Sequence, residues 1–429
     1  MKILYVSSEL SPLVTTGGLG DIAFSLPRAL RSQGHDIRVA IPLYKRIPEE
    51  IHGEAVCECM AELGGKKVQG TLRLSHVPTT DVPLYLVQNE HYFGRPGMYG
   101  DSGAYEYEDN AERYCFFCLA LLQGIAQTGW RPDIVHCHDW HTAAIPAFIK
   151  TRLAATPAWR GMPTLFTIHN LAFQGRYKAR FLPSTGLSPD LFMPDCLEYH
   201  GDINLMKAAI AFASKLNTVS PTYAKEIQTP EYGEGLDGFL RTRTASLSGI
   251  LNGADYTVWH PAYDCNIAQQ YTSDDMSGKP VCKKYMQKMH GLAEKDVPVF
   301  AMVSRLYWQK GVDLVLDALD DLMKLDIQMI VLGTGDPYYE QALRDAAEKY
   351  PDKFRAVFAF DHFLSHQLEA GADFFMMPSH FEPCGLSQLY SLAYGSIPVV
   401  RKTGGLADSV VPITPANLKK GIATGRKLG

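Results

Sequence analysis

The amino-acid sequence predicts an α/β protein with two doubly wound domains that face each other across a deep cleft. The chain has 429 residues, which is too long for one ordinary hydrophobic core. Short apolar runs alternate with helical patterns in two separate series, as parallel sheets require. A similar glycine turn also occurs once in each series.

The first series consists of strands that are apolar throughout and alternate with longer amphipathic segments. Such strands are typical of a parallel sheet that helices cover on both faces. The predicted strands are 2–8, 37–44, 83–89, 134–139, 164–170 and 216–220, and the predicted helices are 22–34, 109–128, one that starts at His141, and 203–213.

The second series begins after a looser, polar stretch that runs from Asn252 to about Asp296. We therefore expect one domain over residues 1–252 and a second over residues 253–429. The predicted strands are 297–304, 327–333, 354–360, 373–379 and 397–402, and the predicted helices are 311–325, one that starts at Pro337, 365–371 and 386–395.

Composition excludes several classes of protein. Hydrophobic residues make up 46% and charged residues 20% of the chain, as in ordinary globular proteins. The net charge of -5 provides no broad basic surface, so neither nucleic acid nor a membrane is expected as a partner. The N-terminal apolar run is too short for a signal peptide, so we expect a cytoplasmic protein. Nine scattered cysteines favour reduced thiols.

The two glycine turns read Thr16-Gly-Gly-Leu-Gly-Asp21 and Thr403-Gly-Gly-Leu-Ala-Asp408. Paired glycines let a backbone approach a ligand closely, and the start of a helix favours an anion. Two ordinary turns are the alternative, but the recurrence in both domains favours ligand contact. Because open α/β sheets bind ligands beyond the carboxyl ends of their strands, we expect both turns at the cleft.

Residues 304–311 follow a predicted strand of the second domain and contain Arg305 and Lys310. Arginine offers a planar fork for phosphate oxygens, and lysine offers a compact positive charge. These two residue types at the ligand end of a sheet indicate a diphosphate site.

Glu382 follows another predicted strand and is flanked by Phe381 and Pro383. Its carboxylate could accept hydrogen bonds from two sugar hydroxyls. Alternatively, it could cap a helix that begins at Pro383. The next three residues, Cys384, Gly385 and Leu386, are candidates to offer backbone N–H groups to a ligand.

In the first domain, residues 136–141 and 167–170 close two successive strands and contain four histidines and an aspartate. This composition raises the possibility of a metal site. However, two histidines two apart in a buried strand are more typical of core residues, so we favour polar substrate contact and expect no metal. We place Asp139, His141 and His169 at the cleft.

Taken together, these motifs resemble the bacterial glycogen synthase and plant starch synthase family, which are glycosyltransferases with two Rossmann-like domains (GT-B architecture). The resemblance covers almost the whole chain. Its most specific segments are SSELSPLVTTGGLGD, HDWHTA, TIHNLAFQG, TVSPTYAKEI, ILNGAD, SRLYWQKGVD, LGTGDP and HFEPCGLSQLYSLAYGSIPVVRKTGGLADSV.

The resemblance implies transfer of glucose from ADP-glucose to the non-reducing end of an α-1,4-glucan, with retention and without a metal or other cofactor. It implies that the first domain serves the acceptor and the second serves the nucleotide-sugar donor. Glu382 then holds the donor glucose, and Arg305 and Lys310 clamp the diphosphate. Asp139 and His169 line the glucose pocket and complete the catalytic set with Glu382, Arg305 and Lys310. The further substrate-binding positions are Thr15, Gly17, Gly18, Asp21, Tyr99, His141, Asn252, Phe360, Cys384, Gly385, Leu386, Thr403, Gly404 and Gly405.

The chain departs from the family pattern at three places. Thr15 stands where the family has a lysine, so a positive charge is missing and we expect weaker donor binding or turnover. Phe360 stands where a tyrosine usually lies beside the adenine, which keeps the stacking and loses the hydroxyl. The chain ends at GIATGRKLG, whereas family members usually continue through further helices, so we expect less firmly held domains.

Two alternatives remain open at this point. One is a related glycosyltransferase that uses UDP-glucose, and the other is a catalytically weak glucan-binding homologue. A nicotinamide-dependent dehydrogenase is disfavoured because no G-x-G-x-x-G follows the first strand. Sequence indicates nothing about the oligomeric state.

Overall fold

The computed structural model describes residues 1–101 and 105–428 and divides the chain into two compact units. The first unit comprises residues 1–219 and 224–249, and the second comprises residues 220–223 and 250–429. Each unit is built around one predominantly parallel sheet.

The described strands are β1 (Lys2–Val6), β2 (Asp36–Pro42), β3 (Glu54–Leu63), β4 (Lys66–His76), β5 (Pro83–Gln88), β6 (Gly100–Asp101), β7 (Tyr105–Glu106), β8 (Ile134–His138), β9 (Thr164–Ile168), β10 (Arg176–Lys178), β11 (Glu198–Tyr199), β12 (Asp202–Asn204), β13 (Lys215–Thr218), β14 (Leu247–Gly249), β15 (Val299–Val303), β16 (Gln328–Leu332), β17 (Phe354–Val357), β18 (Phe374–Met377), β19 (Ile397–Arg401) and β20 (Arg426–Leu428).

The described α-helices are α1 (Gly18–Ser32), α2 (Glu90–Phe93), α3 (Asn110–Gln127), α4 (Ala144–Lys150), α5 (Leu182–Thr185), α6 (Leu205–Phe212), α7 (Pro221–Glu226), α8 (Asp237–Thr242), α9 (Gly278–Met289), α10 (Val312–Leu322), α11 (Pro337–Lys349), α12 (His362–Gly371), α13 (Ser387–Ala393), α14 (Gly404–Ser409) and α15 (Pro415–Lys419).

The main sheet of the first unit has the strand order β14-β13-β9-β8-β1-β2-β5-β4-β3. The strands from β14 to β5 are parallel to their neighbours, and β4 and β3 continue the sheet in antiparallel pairing. In the parallel part, β1 is central, and the chain winds first to one side and then to the other. This is the order of a Rossmann-type sheet.

Burial explains why these segments form this sheet. Leu4, Tyr5 and Val6 of β1 are completely buried, as expected for a strand that helices cover on both faces. Helix α3 is buried along nearly its whole length, including Cys115 and Cys118. The predicted apolar helix over 109–128 is therefore observed, and these two thiols pack in the core.

The second unit contains a six-stranded sheet in the order β17-β16-β15-β18-β19-β20, and all of its neighbouring strands are parallel. Alternate residues of β16 face opposite sides. Met329 and Val331 pack with α10 and α11, whereas Ile330 and Leu332 pack with α9 and α12. The prediction of a doubly wound α/β fold is confirmed in both units.

Local sequence accounts for several helix boundaries. Helix α11 starts after Asp336, whose side chain accepts a hydrogen bond from the backbone N–H of Tyr338, and Pro337 occupies the first helical position. Helix α12 starts in the same way, because Asp361 accepts from the N–H of Leu364. No helix in the described part of the chain combines the length and apolar character needed to span a bilayer.

The structure also contains elements that the sequence pattern did not predict. Strands β3 and β4 form a long antiparallel hairpin at the sheet edge, and much of β3 is exposed. An edge strand of this kind lacks the continuous apolar run used to identify the other strands. Helix α9 lies within the stretch expected to be a loose connection, and it packs against α12 through Met286.

Gly311, which precedes α10, provides a test of the backbone geometry. Its φ is +71°, and an added Cβ would lie 2.3 Å from the carbonyl oxygen of Pro378. We expect Gly311→Ala to lower the free energy of unfolding by about 2–4 kcal/mol, because it combines left-handed strain with a clash against backbone. Chemical denaturation measures this change.

Gly253→Ala in the same unit is the matched control, since nothing lies within 4 Å of its added Cβ. We expect a change below about 1 kcal/mol there. Equal effects of the two substitutions would contradict the described path of the chain at Gly311.

Candidate active site

The winding direction reverses between β1 and β8 in the first sheet and between β15 and β18 in the second. Connections that leave such a pair of strands diverge to opposite faces, which opens a crevice at their carboxyl ends. The segments that follow these four strands are 7–21, 139–142, 304–311 and 378–386. They contain most of the residues that the sequence predicted for substrate contact.

An ion pair between Lys310 and Glu382 lies at the reversal point of the second unit. Lys310 Nζ is 3.0 Å from Oε1 and 2.7 Å from Oε2 of Glu382. The hydroxyl of Ser379 donates to Oε2 at 2.9 Å. The Glu382 side chain is only 7% exposed and that of Lys310 is 19% exposed. The carboxylate is therefore held in place by two donors before any ligand arrives.

The structure answers the question of whether Glu382 caps a helix. Helix α13 begins at Ser387, its N-cap residue is Leu386, and no side chain caps it. The carboxylate instead accepts from Lys310 and Ser379. The alternative, in which Glu382 caps a helix that begins at Pro383, is therefore wrong, whereas the predicted helix over 386–395 starts within one residue of α13. Gly385, just before the helix, adopts a left-handed φ of 72°.

The second glycine turn packs directly against the Glu382 segment. Gly405 N donates to the backbone oxygen of Glu382 at 3.0 Å. A Cβ at Gly405 would lie 2.1 Å from the carbonyl oxygen of Cys384. Thr403 is the N-cap residue of α14, which begins at Gly404. Only glycine at 405 permits this approach, so the turn and the carboxylate form one local assembly.

The remaining predicted residues of the second unit have different environments. Cys384 is buried, and burial raises the pKa of its thiol to about 12, although a hydrogen bond from the Asn252 backbone lowers it. The thiol is therefore protonated and unreactive at neutral pH. Arg305 is exposed, and its guanidinium lies 5.9 Å from the ring centroid of Tyr307. Phe360 is 77% exposed beyond the end of β17.

Glu9 organises the corresponding region of the first unit. Its Oε2 accepts from Thr16 N at 2.8 Å, and its Oε1 accepts from Thr16 Oγ1 at 2.7 Å and from the Tyr99 hydroxyl at 2.8 Å. The ring of Tyr99 stacks on His141 with 4.7 Å between centroids. The carboxylate thus ties the first glycine turn to two predicted site residues. Sequence reasoning missed Glu9, although a carboxylate just after β1 was a usable signal.

The first glycine turn leads into α1, which begins at Gly18 and has Gly17 as its N-cap without a side-chain cap. The hydroxyl of Thr15 donates to the Gly17 carbonyl at 3.0 Å. Its Oγ1 would lie 2.5 Å from a Cβ added at Gly20. The hydroxyl of Thr15 therefore helps to shape the turn.

Asp139 lies at the end of β8 in a left-handed conformation with φ of 55°. Its Oδ1 accepts from the backbone N–H of His169 at 2.7 Å. Burial raises the pKa of Asp139 to about 7, against the effect of the His169 and Asn170 backbone donors, and nearby Glu9 raises it further. Asp139 therefore fixes the loop that follows β9.

Asp21 shares this environment. Burial raises its pKa to about 6, a hydrogen bond from Ser11 opposes the shift, and Glu9 adds to it. Both aspartates are thus partly protonated near neutral pH. A lysine at position 15 would favour their charged forms, but Thr15 provides no such charge.

The histidines of this region are neutral. Burial lowers the pKa of His136 to about 3 and that of His169 to about 4, and it lowers the pKa of His138 and His141 well below the usual value. His138 Nδ1 lies 2.9 Å from His169 Nε2. In residues 1–101 and 105–428, no three His, Cys, Asp or Glu side chains are grouped to share a metal ion.

Comparisons with known proteins agree with this geometry. Residues 2–242 match the starch synthase catalytic domain family, and residues 287–417 match the glycosyl transferases group 1 family. The chain belongs to the starch synthase catalytic domain family. The predicted resemblance is confirmed, and the chain is a hexosyltransferase of the glycogen and starch synthases.

Individual relatives support this membership across the chain. A glycogen synthase from Anaeromyxobacter sp. (strain Fw109-5) is 47% identical, over 96% of this chain and 85% of the relative. A glycogen synthase from Moorella thermoacetica is 44% identical, over 96% and 82%.

A solved structure gives the same result. The catalytic domain of starch synthase IV from Arabidopsis thaliana, bound to ADP and acarbose, matches with a TM-score of 0.90 and 32% identity. The match covers 99% of this chain and 87% of that one. The predicted GT-B fold of this synthase family is confirmed.

The raised pKa of Asp139 predicts how stability depends on pH. A carboxyl group whose folded-state pKa lies above its unfolded value stabilises the fold fully at low pH and loses this effect as pH rises through the folded pKa. We expect the wild type to lose about 2–3 kcal/mol relative to Asp139→Asn between pH 5 and pH 8, with no further change above that. Urea unfolding of both proteins at several pH values measures the difference.

Asp139→Asn retains a side-chain oxygen that can accept from the His169 N–H. Because Asp21 titrates in both proteins, its contribution cancels to first order in the difference. A stability difference that stays constant from pH 5 to pH 8 would contradict the assigned environment of Asp139.

Proposed function

We propose that the chain transfers glucose from ADP-glucose to the non-reducing end of an α-1,4-glucan, with retention of anomeric configuration. The observation that carries this proposal is the buried Lys310–Glu382 pair at the reversal point of the second sheet. Parallel sheets of this type bind nucleotides at that point. We assign the nucleotide-sugar donor to the second unit and the glucan acceptor to the first.

Lys310 and Glu382 act together in this proposal. An ammonium group has three N–H donors, and Glu382 takes two of them. The third can serve a phosphate oxygen, and Arg305 on the same loop supplies the additional positive charge. This set stabilises the negative charge that develops on ADP as the glucosyl bond breaks.

Glu382 holds the donor glucose. Each carboxylate oxygen can accept more than one hydrogen bond, so the contacts with Lys310 and Ser379 leave capacity for sugar hydroxyls. The backbone N–H groups of residues 384–386 are further donors for sugar or phosphate, whereas the N–H of Gly405 donates to the backbone oxygen of Glu382.

The first unit contributes the other sugar contacts. We place Asp139 and His169 at the glucose, with Asp21, Tyr99 and His141 around it and Gly17 and Gly18 as backbone donors. Asn252 and Phe360 complete the set in the second unit, the latter beside the base. The Glu9 hydrogen bonds support this arrangement, because they hold the glycine turn and Tyr99 in a fixed relation.

The reaction needs no nucleophile from the protein in this proposal. The acceptor hydroxyl attacks on the same face of the sugar from which ADP leaves, so retention does not require a glycosyl-enzyme intermediate. The hydroxyl proton then passes to the departing phosphate. The protein instead positions the substrates and stabilises the developing charge, and the fixed side chains of Glu382 and Lys310 do both.

The choice of ADP-glucose over UDP-glucose is supported by relatives. The similar Arabidopsis starch synthase IV structure is bound to ADP and acarbose, and the bacterial relatives are glycogen synthases. ADP and glycogen are thus each associated with a relative of this chain.

Release of nucleotide in the presence of glycogen tests this proposal. We expect kcat/KM for ADP-glucose to exceed that for UDP-glucose by at least about 10-fold, and Glu382→Gln to reduce turnover by about 100-fold or more, as when a preorganised polar contact is lost. Asp320→Asn is the matched control, because Asp320 pairs with Lys349 in the same unit but at an exposed site. We expect it to retain full activity.

Activity with UDP-glucose alone would overturn the choice of donor. Full activity of a folded Glu382→Gln variant would overturn the site assignment.

Thr15 favours a second candidate, a glucan-binding homologue with weak catalysis. Its hydroxyl donates to Gly17 O, so no charge and no available proton stand at the family's lysine position. Glycogen binding without ADP release, unchanged by Thr15→Lys, would support this candidate. Increased turnover in Thr15→Lys would support the transferase.

A further inference from the structure

His138 is a buried residue to which the function proposed above gives no role. It is the last residue of β8 and pairs in register with Thr167 of β9. His169 lies two residues further along the same strand direction, so both rings can meet on one face of the sheet. His138 Nδ1 and His169 Nε2 are 2.9 Å apart, which is a hydrogen-bond distance.

The ring of His138 cannot turn freely. It lies against both Tyr5 and His136, at 4.0 Å between ring centroids in each case, and the residue is 1% exposed. Its Nδ1 is consequently held against His169. Its Nε2 is enclosed and has no hydrogen-bond partner within residues 1–101 and 105–428.

Each ring is neutral and has one proton, so the hydrogen bond allows two arrangements. In the first, His138 Nδ1–H donates to His169 Nε2, and a bare nitrogen lone pair remains at His138 Nε2. In the second, His169 Nε2–H donates to His138 Nδ1, and an N–H group is buried at His138 Nε2 without an acceptor. Buried N–H groups without a partner are rarer in proteins than buried acceptors without one. The first arrangement is therefore favoured.

The tautomer of the neighbouring His136 is likewise determined by its hydrogen-bond partner. Thr167 Oγ1 donates its single proton to Asn217 Oδ1. It must then accept from His136 Nε2, which lies 2.7 Å away. His136 is thus the Nε2–H tautomer because of its partner.

We propose that His138 is a positioning residue that fixes His169 as the Nδ1–H tautomer. His169 Nδ1 then offers the sugar a hydrogen-bond donor rather than an acceptor. His169 is half-buried, whereas His138 is 1% exposed. Only this consequence for sugar binding rests on the function proposed above, whereas the tautomer is a property of the chain itself.

Nitrogen-15 NMR of histidine-labelled full-length protein, without substrate, tests the tautomer directly. The His169 signals are assigned by their loss in His169→Asn. We expect the proton on Nδ1 and an unprotonated Nε2 in the wild type. A proton on Nε2 in the wild-type spectrum would overturn the proposal, whatever the enzyme's activity.

His138→Leu removes the donor and His138→Asn can replace it. We expect the Leu variant, which gives His169 Nε2 neither a donor nor an acceptor, to lower kcat by about 10-fold, as for loss of one hydrogen bond to a polar partner. We expect the Asn variant to keep the Nδ1–H form of His169 and to recover part of kcat. No recovery of kcat in the folded Asn variant would also overturn the proposal.

The two proposals fail in different ways. If the chain lacks transferase activity, the wild-type tautomer still tests the role of His138. If the tautomer is as expected but folded His138→Leu keeps its full kcat, the assignment of a sugar contact to His169 is wrong.

Discussion

The reversal of winding in a parallel sheet is the constraint on which the rest of this structure depends. Each unit starts at a central strand, builds outward to one side, and then returns to build on the other. The segments that leave the two central strands must diverge, which opens a crevice where polar residues can meet a ligand. Lys310 and Glu382 occupy this point in one unit, and Glu9 and Asp139 occupy it in the other.

The charges at the two points are arranged differently. In the second unit, the buried carboxylate of Glu382 has a lysine partner. In the first, Glu9, Asp21 and Asp139 lie near one another, and burial raises the pKa of both aspartates. Thr15 provides no compensating charge. Buried carboxyl groups without a charged partner are costly to ionise, and they are characteristic of ligand-binding sites.

Much of the architecture followed from periodicity. Apolar strands that alternate with helices indicated both sheets, and the residues at the strand ends indicated Glu382, Lys310, Asp139 and His169. The β3–β4 hairpin was missed because an exposed edge strand has no continuous apolar run. The role of Glu382 stayed open in the sequence, because the left-handed Gly385 cannot be distinguished by composition from a glycine within a helix that Glu382 would cap.

The local contacts were beyond sequence reasoning for a different reason. Glu9 binds both Thr16 and Tyr99, the latter 90 residues away in the chain. His138 meets His169 only because β8 and β9 are neighbours in register. Such partners depend on strand order, which a single sequence indicates only indirectly. The same holds for the pairing of Lys310 with Glu382, although each residue was identified singly.

Hydrogen–deuterium exchange with and without saturating ADP tests most directly whether the reversal point of the second sheet binds the nucleotide. The account predicts slower amide exchange in residues 305–311, 380–386 and 403–408, at the carboxyl ends of the strands. It predicts no change in residues 292–298 and 350–353, which precede β15 and β17 and lie at the amino ends of the strands. Slower exchange in residues 292–298 and 350–353, with unchanged exchange in residues 305–311 and 380–386, would contradict it.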